Sequence, residues 1–253
     1  MNRRNFFQKT AAVGITAISI PEIVKAAMPE ASQTTSADWH YLQNEETILF
    51  QGDSITDCGR DRKKEDTPND QSQIGMGYAL FAAATILANH ADKNLHIYNR
   101  GISGNKVFQL AERWEKDCLN LQPDYLSILI GVNDFWHMKA REYDGTVEIY
   151  ERDYRSLIEK TRKVLPNVKI IICEPFIIHG GNALDETWEP NFAAYREAAK
   201  RIAKDFNFTF VPFQSVFNEA LKQAPATYWG ADGVHPSMAG AQLMAQAWIK
   251  AVL

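Results

Sequence analysis

Leu126-Ser127-Ile128-Leu129-Ile130-Gly131-Val132-Asn133-Asp134 runs a nearly unbroken aliphatic stretch into a glycine and two polar side chains. A strand wetted on one face alternates apolar with polar residues, so this run suits a parallel strand covered on both faces. Four more runs of strand length begin or end near Gly, Pro or Asn: Thr47 to Gln51, Leu95 to Asn99, Lys169 to Glu174 and Phe208 to Pro212. Helical patterns lie between them. The clearest is Val147 to Leu165, where Tyr150, Tyr154, Leu157, Ile158, Thr161 and Leu165 recur at steps of three or four and charges fill the other face. Similar segments run from Tyr78 to His90, Val107 to Cys118, Phe192 to Phe206 and Ser237 to Leu253. Strands alternating with helices of this length predict repeated βαβ units, an α/β chain folded as a doubly wound three-layer sandwich.

In such sheets ligands bind beyond the carboxyl ends of the strands. Working outward from Gly131-Val132-Asn133-Asp134, the segments at corresponding positions are Gly52-Asp53-Ser54 and Arg100 to Asn105. Ser54 fits a helix cap, or a nucleophile if a base stands beside it. Near the other terminus, Asp232 and His235 are three apart in Trp229-Gly230-Ala231-Asp232-Gly233-Val234-His235-Pro236. One tight loop could turn the carboxylate to one imidazole nitrogen and leave the other for a serine, or the pair could be a surface loop ahead of the last helix. Gly104 has no side chain to keep a substrate from its backbone N–H, and Asn133 carries an amide at a strand end. Each suits either a turn or a donor to a developing oxyanion.

Composition narrows the alternatives. The 253 residues are 45% hydrophobic and 23% charged, with 27 basic against 31 acidic side chains, an ordinary globular mixture with no basic surplus for a nucleic-acid partner. Cys58, Cys118 and Cys173 are too few and too far apart for a disulfide scaffold, and the scattered histidines argue against a metal centre. Residues 1–27 combine Arg3, Arg4 and Lys9, an apolar run from Ala11 to Ile20, and Ala26-Ala27, the pattern of an export leader. Arg3-Arg4-Asn5-Phe6-Phe7-Gln8-Lys9 is similar to the twin-arginine signal, with the lysine one place late. The apolar run is too short for a membrane span, so stable membrane insertion is not expected. Residues 28–44 read as a linker and 45–253 as one domain. Cleavage after Ala26 would leave a formal charge of about −7, further from a nucleic-acid or anionic-membrane binder.

Four blocks in order, Gly52-Asp53-Ser54-Ile55, Gly104, Gly131-Val132-Asn133-Asp134 and Asp232-Gly233-Val234-His235-Pro236, resemble the SGNH (GDSL-type) hydrolase superfamily across essentially the whole of residues 45–253. The resemblance implies a flavodoxin-like fold with a five-stranded parallel sheet. It also implies Ser54 as nucleophile, His235 as general base and then acid, and Asp232 as the orienting carboxylate. The oxyanion hole would be the Ser54 and Gly104 backbone N–H groups with the Asn133 side chain, and no cofactor or metal is needed. Ile55 stands where many members have leucine, a volume-conserving change. Asp53, by the same similarity, supports the nucleophile turn.

The wording around Asn99 to Gly104 and Leu126 to Asp134 is similar to the exported carbohydrate esterase and platelet-activating-factor-acetylhydrolase-like branch. That implies a serine esterase for short acyl groups on a glycan. A longer-chain lysophospholipase or thioesterase is the alternative, and a non-catalytic carbohydrate-binding protein a third reading. Asp53, Trp136 and Trp229 complete the candidate substrate contacts, the tryptophans because an indole face stacks on a sugar. Trp188 offers a hint of the same kind. The charged stretch Arg60 to Asp70 is expected to be mostly solvated loop at the pocket rim. Cys58 is expected to be a small buried hydrophobe rather than a second nucleophile, and His137 and His179 structural.

Overall fold

The computed structural model describes residues 19–28 and 42–253. Five strands form one sheet: β1 Thr47–Gly52, β2 His96–Asn99, β3 Tyr125–Leu129, β4 Lys169–Cys173 and β5 Thr209–Val211. All pairs are parallel and the order is β2-β1-β3-β4-β5, with Gly52 in register with Leu129 and Leu129 with Cys173. The helices are α1 Ile20–Ala27, α2 Ser54–Asp57, α3 Gln71–Ile74, α4 Tyr78–Asn89, α5 Val107–Asp117, α6 Val132–Lys139, α7 Val147–Val164, α8 Trp188–Asn191, α9 Ala193–Asp205, α10 Phe213–Ala220, α11 Ala226–Trp229 and α12 Met238–Val252.

The aliphatic runs become strands because both sheet faces are covered. Helices α4, α10 and α12 pack together as one layer, and α5, α7 and α9 as the other. Every residue of β3 is buried, including Ser127, whose hydroxyl accepts the Trp248 indole N–H from α12 at 2.9 Å. In the opposite layer Trp114 on α5 donates to the Thr161 hydroxyl on α7 at 2.8 Å. Both large rings thus keep their N–H satisfied inside the core, which otherwise costs about 1–3 kcal/mol each.

Of the segment read as a leader, residues 1–18 lie outside the described residues, as do 29–41 of the linker. Residues Ile20–Ala27 form a helix whose Ser19 and Glu22 make a reciprocal capping box. Ile23 and Val24 are buried as this helix packs on α10 and α12, and Lys250 donates to the Met28 carbonyl at 2.6 Å. Full burial of such side chains contributes about 1.5–3 kcal/mol each. Among the described residues no helix is long and apolar enough to cross a membrane.

Candidate active site

Ser54, the Arg100–Asn105 loop and Asn133 leave the carboxyl ends of β1, β2 and β3, three adjacent strands. Asp232 and His235 come from the loop between α11 and α12. The segment after β4 steadies that loop: Ile178 N–H donates to Gly233 O at 2.7 Å, and Asn182 and Ala183 N–H to the Ala231 and Asp232 carbonyls at 2.9 and 3.1 Å.

The chain of contacts at the centre is continuous. Ser54 Oγ lies 2.8 Å from His235 Nε2, and His235 Nδ1 lies 2.7 Å from Asp232 Oδ2. An ionised carboxylate only accepts, so the proton of the neutral imidazole sits on Nδ1 and Nε2 is left to accept the serine hydroxyl. Asp232 Oδ1 accepts the backbone N–H groups of Val234 and His235 at 2.9 and 2.8 Å. Burial pushes the Asp232 carboxyl up, but the hydrogen bonds from His235 and the two backbone amides outweigh it and hold the group below the usual carboxylate range. It therefore stays ionised opposite the imidazole.

Beneath the nucleophile the electrostatics reverse. Asp53 is 1% exposed; its Oδ1 accepts the Ile55 N–H at 3.0 Å, which caps the helical turn, and its Oδ2 has no hydrogen-bond partner. Burial, with the charge of Asp134 nearby, pushes the Asp53 carboxyl up to about 7. Asp134 Oδ1 accepts Val107 N–H at 3.2 Å, its Oδ2 is also without a partner, and burial pushes it likewise to about 7. These are structural acids under the site, out of reach of a substrate.

Gly104 has φ +82°, where a side chain would be strained, and nothing lies within 4 Å of where its Cβ would be. The Asn133 amide donates to Asn105 O at 3.3 Å, which ties α6 to the same loop. A pocket next to Ser54 and His235 is walled by Ile55, Cys58, Gly77, Tyr78, Ala241 and Met244. Burial raises the Cys58 thiol, consistent with an inert apolar wall rather than a nucleophile.

Three expectations need correction. Trp229 is 4% exposed and its indole N–H donates inward to Ala220 O and Ala224 O at 3.0 and 3.2 Å, so it anchors α11 and offers no face to a sugar. Asp53 is buried too deeply for substrate contact. Trp188 is 2% exposed, packed edge-on against Phe135 and Trp136. Trp136, half-buried on the same helix three residues after Asn133, keeps its place as a candidate contact. His137 Nδ1 lies 3.5 Å from both Lys106 Nζ and Glu142 Oε2, and burial together with the ammonium outweighs the carboxylate and lowers its pKa.

The family profile of GDSL-like lipases and acylhydrolases matches residues 50–243. The chain belongs to this family. An acetylxylan esterase of Geobacillus stearothermophilus is 35% identical over 211 residues, 82% of this chain and 94% of that one. Its crystal structure has a TM-score of 0.72 at 36% identity, covering 83% of this chain and 95% of that one. A protein described as a GDSL-like lipase from Parabacteroides merdae has a TM-score of 0.82 at 54% identity, covering 84% and 97%. Forms of the Geobacillus esterase described as catalytic mutants replace a serine, an aspartate or a histidine by alanine. As a member of this family with an acetylesterase relative, the chain is a carboxylic ester hydrolase.

Proposed function

We propose that the protein is an exported serine esterase that removes O-acetyl groups from polysaccharide or from oligosaccharides derived from it. The observation that carries the reading is the unbroken hydrogen-bonded series from Ser54 through His235 to Asp232. His235 Nε2 takes the serine proton as Ser54 Oγ attacks the acetyl carbonyl. The resulting oxyanion is met by the Ser54 and Gly104 N–H groups and the Asn133 amide. The imidazolium, stabilised by Asp232, returns the proton to the sugar oxygen as the C–O bond breaks and the alcohol leaves. Water, deprotonated by His235, then attacks the acetyl-serine; acetate departs and the serine regains its proton.

The acetylxylan esterase relative supports an acetylated sugar as substrate, and the short apolar pocket supports a small acyl group. Acetate release from a panel of acetylated glycans tests the substrate, with p-nitrophenyl acetate and octanoate as a second comparison. The expected result is turnover of acetate esters that Ser54→Ala abolishes. A strong preference for octanoate would instead identify a longer-chain acylhydrolase, and sugar binding with no turnover of any ester would identify a binding protein.

A further inference from the structure

Ile102 to Asn105 form a tight turn, the Asn105 N–H donating to Ile102 O at 3.1 Å. Gly104 occupies its third position with φ +82°, while Ser103 is not among the residues of positive φ. That is the type II arrangement, which differs from type I by flipping the central peptide: the dihedrals on either side of it change by about 150–170°. The central peptide here is Ser103–Gly104, and its N–H is the one the proposed mechanism aims at the oxyanion. The choice between the two turn types therefore decides whether that donor faces the substrate.

Asp57, on the neighbouring element, grips Ser103, the residue that leads into this peptide. It closes the single helical turn that Ser54 opens, and its side chain is 7% exposed. One carboxylate oxygen, Oδ2, accepts the Ser103 N–H at 2.9 Å, the Ser103 hydroxyl at 2.7 Å and Arg62 Nη2 at 3.1 Å. Burial pushes this carboxyl up, but the bonds from Ser103 and Arg62 outweigh it, so the group is an anion that only accepts. The rest of the loop is fixed by other groups. Arg60 Nε donates to Gly101 O at 2.7 Å, and Asn99 bridges the Gly101 N–H, at 2.8 Å, to Thr56 O, at 2.5 Å. Arg113 donates to the Asn105 side chain at 2.9 Å and to Arg100 O at 2.7 Å. Gly101 presses so closely on the nucleophile turn that a Cβ there would stand 2.4 Å from Asp57 N. The ends of the turn are thus held by other groups, and Ser103, which leads into the central peptide, is held against the nucleophile turn by Asp57.

We propose that Asp57 is a positioning residue for ester hydrolysis, pinning Ser103 to the helical turn that carries Ser54 and so fixing where the adjoining Gly104 N–H stands relative to the nucleophile. The proposal rests on the reading of Ser54 as nucleophile and Gly104 as oxyanion donor. Loss of a whole oxyanion donor costs about 10²–10³ in rate. A donor still present but less firmly placed should cost less. Asp57→Asn is expected to lower kcat on p-nitrophenyl acetate by about 10- to 100-fold with KM within about twofold of wild type. Ser103→Ala, at an exposed residue, removes one of the two Ser103 bonds and is expected to cost a few-fold. The double variant should lose less than the product of the two. All three should keep the acid limb of the kcat/KM pH profile in place, because the Ser54–His235–Asp232 series is untouched.

The proposal is overturned if Asp57→Asn keeps kcat within twofold of wild type, if its loss appears in KM alone, if the acid limb moves with kcat, or if the two losses multiply independently. Ser54→Ala is measured beside them. Should it retain activity, the underlying mechanism falls and the proposal with it; should it be inactive while Asp57→Asn is unimpaired, the proposal alone falls.

Discussion

The two flanks of Ser54 are built on opposite plans. On the oxyanion side, the Arg100–Asn105 loop is cross-braced by buried groups from the nucleophile turn and from α5, over two partly unpartnered acids pushed up to about 7. On the base side, the His235 and Asp232 side chains are 46% and 34% exposed, and the Asp232 carboxylate is held by contacts within its own four-residue stretch. The difference teaches where rigidity is needed. Donors to an oxyanion must stand in place before charge develops, because reorganisation at that moment would forfeit their benefit. An imidazole that accepts a proton and then hands it on tolerates, and is served by, a setting nearer to solvent.

The sharpest way to break this comparison is on the base side. Ser54→Ala and His235→Ala should each lower kcat by about 10⁴-fold or more on p-nitrophenyl acetate while far-UV circular dichroism stays unchanged. Asp232→Asn should lose up to about 10⁴ by favouring the wrong imidazole tautomer, read in kcat rather than KM. On the other flank, Asn133→Ala should cost about 10²–10³ in kcat. If its loss equalled that of His235→Ala, the two flanks would not be separable contributions. A smaller effect probes the buried acids. Asp53 and Asp134 hold their protons to higher pH in the folded chain than in the unfolded one. The stability they confer is therefore complete below about pH 4 and is lost as pH rises through about 7. Asp134→Asn should accordingly flatten the fall in melting temperature between those limits, measured by thermal unfolding across pH. The smallest is Trp136→Ala, expected to raise KM a few-fold for an acetylated oligosaccharide and to leave p-nitrophenyl acetate unaffected.

The base side was the more legible in sequence, for a physical reason. Asp232 and His235 interact over three residues, so their spacing carries their geometry. The bracing of the other flank joins residues 46 apart for Asp57 and Ser103 and 41 apart for Arg60 and Gly101. No local pattern encodes such pairs, and Arg60 reads as part of a solvated charged stretch although it is 6% exposed. One trace was present: Asp57 lies three residues after Ser54, one helical turn away. The strands and the long helices were readable because burial on both sheet faces and on one helix face imposes its own periodicity. Helix α6 was not, since it begins inside the Gly131-Val132-Asn133-Asp134 block and lacks a clear apolar stripe. The sheet order, which depends on pairing between distant segments, has no local signal either, and the docking of Ile20–Ala27 was hidden because leader and surface helix share a composition.

The separation of 181 positions from Ser54 to His235 also sets a schedule. A ribosome adding about 5–20 residues per second needs roughly 9–36 s to pass from one to the other. Through that interval the nascent chain carries the serine and its turn, and in the later part of it the donors that follow β2 and β3, but not His235. Acyl transfer is thereby deferred until the loop that holds His235 has been made and α12 can pack on the sheet.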